Sequence, residues 1–391
     1  MDPVKNPYSP NAGAPPPALV GRDALLDVFG IALRRTQLGR SQKSMLPTGL
    51  RGVGKTVLLN RFVDDARQLG YAIAQIEASE SDAFLNTLAA EARTALYELS
   101  TAARARGAVS RALRVLKSFS LTMQMGDLSV ALGVDPEQGQ ADSGILSTDL
   151  TALFVAIGQA ARDEKRAALI AIDELQYISE EQLGAVIMGV HRVTQLALPL
   201  LVVGTGLPQL PGLAGNAKSY AERLFDFPQI GALSKDDAFQ AIRAPAQSEG
   251  AEVEQDALAR LFEITQGYPY FIQEWAYTVW NMAERSPITL ADVNAAEPQV
   301  LSRLDESFFR VRYDRLTPRE KQYLRAMAEL GPGPHRSGDI AAVLGVKVES
   351  TSPLRSGLIR KGMLYSPQHG DTAFTVPLFD AFMKRSIPEL E

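Results

Sequence analysis

The chain has 391 residues, enough for roughly two to three domains at about 150 residues each. With 46% apolar and 22% charged residues, its composition excludes wholesale disorder. It has no cysteine, which excludes a disulfide scaffold, a thiolate nucleophile and any Cys-ligated metal, and its formal charge of −5 excludes an overall polycation, so any nucleic-acid contact must be local.

The first 19 residues, MDPVKNPYSPNAGAPPPAL, lack the apolar run of a secretory signal, and their prolines favour an extended arm. The longest apolar runs, such as Ala167–Ile172 and Leu196–Val203, are too short to span a bilayer, so no membrane partner and a cytoplasmic location are expected. His191, His335 and His369 lie far apart and show no metal-ligand spacing.

After the arm, LVGRDALLDVF begins a helical pattern. A short apolar stretch, Ser44–Pro47, leads into Gly49-Leu50-Arg51-Gly52-Val53-Gly54-Lys55-Thr56, a full match to G-x-x-x-x-G-K-[ST]. Glycines let consecutive N–H groups face phosphate oxygens, and a helix over 55–68 aims its positive end at the same anion. Lys55 adds a point charge, Thr56 offers a hydroxyl to Mg²⁺, and Val57 continues the helix start. At ordinary glycine usage this pattern arises by accident in only about one chain of this length in a hundred. Pro47 removes an N–H close to the end of a strand expected to be central.

Gly70 can cap the helix, and Tyr71–Glu77 reads as a second strand. Ala83–Leu99 has helical spacing, with Phe84, Leu88, Ala92 and Leu96 on one stripe. Between Thr101 and Ser118, Arg104, Arg106, Arg111, Arg114 and Lys117 occur with no acid, as on a solvated helix face or a DNA-facing or partner-facing insertion. In 118–134 apolar residues alternate with polar ones (Phe119, Leu121, Met123 and Met125, then Leu128, Val130, Leu132 and Val134) around Gly126-Asp127, which predicts a β-hairpin.

A helix near Thr148–Arg162 precedes an apolar strand that ends Ile172-Asp173-Glu174. Asp173 can hold the magnesium shell, and Glu174 can polarise an attacking water as general base. A helix near Glu181–Gln195 leads to the strand Leu198–Gly204, and Phe225–Ile230 is a shorter fifth strand. Thr205, just past the fourth strand, is either a γ-phosphate sensor or an ordinary β-branched strand end. Arg223 is either a phosphate-stabilising cation, within the chain or across a subunit boundary, or one half of a salt bridge. The alternation of strands and helices predicts an α/β fold with a parallel sheet flanked by helices.

From Ser234 onward the pattern is helical, with caps at Ser234/Asp237 and Thr289/Asp292 and a long helix over 290–314. Thr317-Pro318-Arg319-Glu320 is a strong helix start. Helices over 318–330, 337–344 and 349–361, then strands over 363–365 and 372–376 joined near His369-Gly370, follow the order of a winged helix-turn-helix. Its third helix, with Ser350, Thr351, Ser352, Arg355, Arg360 and Lys361, would read the major groove of double-stranded DNA. Residues 301–391 carry 14 basic and 11 acidic residues, which permits duplex binding without requiring it.

Together these motifs resemble a bacterial or archaeal P-loop ATPase, between AAA+ ATPases of the replication-initiator type and STAND signalling ATPases. The resemblance implies a P-loop NTPase domain over 20–232 with an insertion at about 101–135, a helical lid over 233–315 and a winged-helix domain over 316–391. It places Val20, Gly21 and Arg22 beside adenine, and Gly267-Tyr268-Pro269 against the nucleotide, so Tyr268 and Pro269 join the nucleotide site. Pro269–Val279 has no Arg or Lys, which favours the STAND side over initiator-type sensing. The implied activity is slow or partner-stimulated ATP hydrolysis with ATP and Mg²⁺, acting on double-stranded DNA. The alternative is a STAND-like switch that binds a protein partner or another subunit.

Overall fold

The structure is a computed structural model that describes all residues except 12, 80–82, 101–106, 127–131, 369 and 391. The chain divides into two units. One comprises 23–48 and 58–229; the other comprises 1–22, 49–57 and 230–391.

The unit of 23–48 and 58–229 is built on a five-stranded sheet. Its strands are β1 (Ser44–Met45), β2 (Ala72–Glu77), β3 (Ala168–Asp173), β4 (Leu200–Gly204) and β5 (Phe225–Asp226), in the order β2-β3-β4-β1-β5. All pairings are parallel, as alternating strands and helices require. Every residue of β3 and β4 is buried, which is why both read as unbroken apolar runs. β1 is short because Pro47 has no N–H; pairing resumes at Thr48, which bridges Gly206 and Gln229. The flanking helices are α1 (Asp23–Gln37), α2 (Lys55–Gln68, which starts in the other unit), α3 (Phe84–Leu99), α4 (Ala108–Thr122), α5 (Leu146–Asp163), α6 (Glu180–Gln195), α7 (Leu210–Ala217) and α8 (Ala221–Leu224).

The expected hairpin at 118–134 is not formed in its first half, because Phe119 and Leu121 belong to α4. Ala112, Val115, Leu116 and Phe119 make a buried stripe at helical spacing, whereas Leu121 is 48% exposed. The serines that simulated strand alternation turn back onto the helix: Ser120 Oγ donates to Leu116 O at 2.8 Å. Leu128 and Val130 lie outside the described residues, as do Arg104 and Arg106. Arg114 pairs with Glu137 at 2.6 Å, with Arg111 at 4.0 Å from the same carboxylate.

The second unit gathers its core from α9 (Lys235–Ser248), α10 (Gln255–Thr265), α11 (Pro269–Met282), α12 (Leu290–Arg303) and the C-terminal elements. The capping boxes expected at Thr289 and Thr317 are present. The long helix after Thr289 is interrupted by a π-helical segment, Leu304–Phe309, before α13 (Arg310–Tyr313). The N-terminal arm is tied down by its polar groups. Trp280 Nε1 donates to Asp2 O at 3.0 Å, Asn6 Nδ2 to Tyr277 O at 2.9 Å and Tyr8 OH to Ile242 O at 2.6 Å. Burial pushes the Tyr8 phenol pKa up.

Beyond Thr317 run α14 (Pro318–Glu329), β6 (His335–Arg336), α15 (Ser337–Val343), α16 (Val348–Arg360), β7 (Leu364–Tyr365), β8 (Asp371–Phe374) and α17 (Phe379–Ser386). The strands form an antiparallel sheet in the order β6-β8-β7. β6 and α17 escape a pattern-based reading, one because it has two residues and the other because Pro377 obscures its start.

Three residues expected to contact DNA make contacts within this module. Thr351 is 2% exposed and its hydroxyl donates to Val348 O. Arg355 ties α16 to the sheet, donating to Thr372 Oγ1 at 2.7 Å and to Asp371 O at 2.9 Å. Lys361 Nζ donates at 2.8 Å to Glu320 Oε2, an atom that also accepts from the Thr317 N–H. Basic residues on a helix can face its own module, and spacing alone does not reveal which way they face. Burial opposes ionisation of Glu320, but the bonds from Lys361 and Thr317 outweigh it and hold the carboxyl below its ordinary value.

Two predictions follow from these contacts. Phe119→Ala should cost about 3–5 kcal/mol of unfolding free energy, whereas Leu121→Ala should stay within about 0.5 kcal/mol; equal losses in denaturant titrations would favour a strand, where both residues share a face. Because the Glu320 pKa is lowered in the folded state, its contribution is present above the unfolded value of about 4.3 and is lost as pH falls through the folded value. Glu320→Gln should therefore flatten the acid-side decline of the thermal midpoint; an unchanged pH slope would contradict this.

Candidate functional site

The glycine loop follows Thr48 directly and ends where α2 begins at Lys55. A Cβ at Gly49 would lie 2.3 Å from Ile230 O, so only glycine fits there. Gly52 has φ +79°, and its Cα faces Tyr270, whose Cβ would be 3.2 Å from an added methyl. The Tyr270 N–H donates to Gly52 O at 3.1 Å, and the Arg51 N–H donates to Thr375 O at 2.9 Å. The Lys55 ammonium is buried and donates to Gly49 O at 3.2 Å and Leu50 O at 3.0 Å. The loop thus carries a cation folded into its own carbonyls, next to the N–H groups of a helix start that lack intrahelical partners. Val53 is buried, while Gly54, Thr56 and Val57 are half-buried.

Arg22 is brought to this loop. Its Nη2 donates to Gly231 O at 2.7 Å and to Val53 O at 3.4 Å, and Nη1 donates to Gly21 O. Burial lowers the Arg22 pKa and the Asp237 carboxylate opposes that shift. Gly21 takes φ +69°, and an added Cβ would meet Asp237 Oδ2 at 2.8 Å. Val20 packs on the core of the same unit. Tyr268 is the N-cap of α11 and Pro269 its first residue. Gly267 lies against Leu233, whose N–H donates to Gly267 O at 2.8 Å. Tyr270 was missed by motif reading, because an aromatic residue at the second position of an apolar helix looks like ordinary core.

In the other unit, Asp173 ends β3 and is 5% exposed. Its Oδ1 accepts from the Thr205 hydroxyl and, at 2.9 Å, from the Glu174 N–H. Thr205 is fully buried, and its N–H donates to Ile172 O at 2.9 Å. Glu174 sits in the left-handed region with φ 55° and ψ 41°, uncommon for a non-glycine residue. Gln176, which sequence reading did not single out, donates to Glu174 Oε2. Arg223 is on an exposed turn of helix, 3.9 Å from Glu222. Of the residues proposed for DNA, Ser350, Ser352 and Arg360 are exposed on α16.

Thr56 offers a hydroxyl and Asp173 a carboxylate. These are hard oxygen donors of the kind Mg²⁺ takes, one or two at a time, alongside water and phosphate. Each donor by itself has the chemistry that ion takes.

Comparison with known proteins adds the family context. Residues 18–203 match the AAA ATPase domain, and residues 306–383 match a domain of unknown function (DUF8462). No curated protein matches the chain. Among solved structures, a Walker-type ATPase of Pyrococcus abyssi is 15% identical, with TM-score 0.59 over 94% of this chain and 96% of that one. The Orc1 protein of Aeropyrum pernix in complex with DNA is 16% identical, with TM-score 0.45 over 95% of this chain and 94% of that one. The RuvB Holliday junction branch migration motor of Thermotoga maritima is 15% identical, with TM-score 0.45 over 90% and 92%. The Pyrococcus protein shares the fold. With the complete glycine-loop signature inside the matched stretch, residues 18–203 carry an AAA-type P-loop ATPase domain.

Proposed function

We propose that the chain binds Mg-ATP and hydrolyses it, and that its nucleotide state controls the C-terminal module, read as a winged helix. The observation that carries the proposal is the arrangement at the end of β3. Asp173 is buried yet satisfied by Thr205 and the Glu174 N–H, with Glu174 beside it in a constrained backbone conformation. In this reading the N–H groups of Gly49–Val57 and the Lys55 ammonium bind the phosphates. Thr56 and Asp173 hold the magnesium, which supplies charge neutralisation at the phosphate oxygens. Glu174 takes the proton of the attacking water as oxygen bonds to the γ-phosphorus and the bond to ADP breaks. Val20, Gly21 and Arg22 flank the base, with Tyr268 and Pro269 on the side of the lid. Arg223, exposed on its helix, would stabilise phosphate charge within the chain or across a subunit boundary.

Control of the module is supported by the bond from the Arg51 N–H to Thr375 O, which joins the loop to the segment just past β8. A phosphate that reshapes the loop alters that contact, and a ligand shifts the equilibrium by its differential affinity for the two states. Double-stranded DNA is the preferred target, approached through Ser350, Ser352 and Arg360. The rival is a switch that grips a protein partner, and it is favoured by the internal engagement of Arg355 and Lys361.

Lys55→Ala should abolish measurable Mg-ATP binding by titration calorimetry; unchanged affinity would refute the site. Glu174→Gln should retain ATP and lose turnover by about 100-fold or more, and normal turnover would remove Glu174 from the role of base. Duplex binding that weakens steeply with salt, and weakens further in Arg360→Ala, supports DNA as the target. No binding at low salt beside intact ATP binding supports the protein switch.

A further inference from the structure

The two acids at the end of β3 are both held from one place, the stretch Thr205-Gly206-Leu207 just past β4. Asp173 is held directly, by the Thr205 hydroxyl. Glu174 is held through an intermediary. The Gln176 side-chain amide donates from Nε2 to Glu174 Oε2, and its carbonyl Oε1 accepts from the Leu207 N–H at 3.0 Å. Chemistry fixes this orientation of the amide. Turned over, its NH₂ would face another N–H and its oxygen would face a carboxylate, and both contacts would be repulsive.

The surroundings leave the amide little freedom. A Cβ on Gly206 would lie 3.1 Å from Gln176 Oε1, so the chain past β4 passes close to it. Leu207 is fully buried, and the Leu175 N–H donates to Thr205 O at 2.9 Å. Glu174 between them keeps its left-handed backbone (φ 55°, ψ 41°). Such a conformation persists where the environment over-determines it, and an observed outlier of this kind points toward function.

We infer that Gln176 is a positioning residue for hydrolysis: its amide sets the direction of the Glu174 carboxylate and makes that direction depend on the backbone past β4. The inference rests on the reading of Glu174 as the base. Any displacement at Thr205 shifts Asp173 through its hydroxyl and Glu174 through the Leu207–Gln176 bridge, so the two acids move together.

The test is ATP turnover and Mg-ATP binding by the full chain as wild type, Gln176→Ala, Gln176→Met, Gln176→Glu, Glu174→Gln and the double variant Glu174→Gln/Gln176→Met. Methionine keeps the length of the side chain without the amide, so it serves if the alanine variant fails to fold. Gln176→Met should lower kcat by about 10-fold, as expected for a misdirected base, with Mg-ATP affinity changed by less than about 2-fold. Gln176→Glu, which puts an acceptor against the Glu174 carboxylate, should lose at least as much. In the Glu174→Gln background Gln176→Met should have no further effect, because a group that acts through Glu174 has nothing left to act on. A wild-type kcat in Gln176→Met, or the same fold loss in both backgrounds, overturns the inference while leaving Glu174 as the base. Normal turnover by Glu174→Gln overturns the reading of the base and this inference with it.

Discussion

A carboxylate buried at the end of a parallel strand is the constraint on which the rest of the arrangement depends. Asp173 is nearly inaccessible, and a charge in that position is costly unless it is fully hydrogen-bonded. The Thr205 hydroxyl and the Glu174 N–H meet that demand on one oxygen. Meeting it fixes the backbone past β3 and β4 relative to each other, since the Thr205 N–H and C=O are also engaged, by Ile172 and Leu175. The left-handed turn at Glu174 and the reach of Gln176 are consequences of that junction.

The glycine loop is constrained in a different way. Its glycines answer to close neighbours: Ile230 O stands where a Gly49 side chain would be, and Tyr270 stands over Gly52. Its polar groups are used from within the loop, from the N-terminal segment and from the C-terminal half of the chain. Lys55 turns onto loop carbonyls, Arg22 braces the Val53 carbonyl, and Thr375 takes the Arg51 N–H. The short glycine loop is therefore held by segments more than 200 residues away in sequence, through the Tyr270 N–H on Gly52 O and the Arg51 N–H on Thr375 O.

Much of this was legible in the residues. β3 and β4 stood out because buried parallel strands are apolar on both faces. The starts of α12 and α14 follow from Thr289 and Thr317, each of which closes a capping box. The stretch at 118–122 misled because Phe-Ser-Leu-Thr satisfies period two over four residues while belonging to a longer helical stripe through Ala112, Val115 and Leu116. Short windows cannot separate the two periods, and the tertiary core chose between them. The engagement of Arg355 on α16 and of Lys361 just past it was not legible for another reason: their acceptors lie in β8, its flanks and α14, and those become neighbours only when the module folds.

What the sequence determined by itself is the chemistry on offer: a phosphate-binding glycine loop, an Asp-Glu pair closing an apolar strand, and the alternation that makes a parallel sheet. These are local properties, set by backbone freedom, burial pattern and side-chain type within a few residues. What only the tertiary structure decided is which groups are already engaged. That Gln176 bridges Glu174 to Leu207, that Tyr270 meets Gly52 and that Lys361 belongs to Glu320 depend on contacts between distant segments. A hydrogen bond needs its donor and acceptor within about 3 Å, and spacing along the chain carries no information about a distance that arises only through folding.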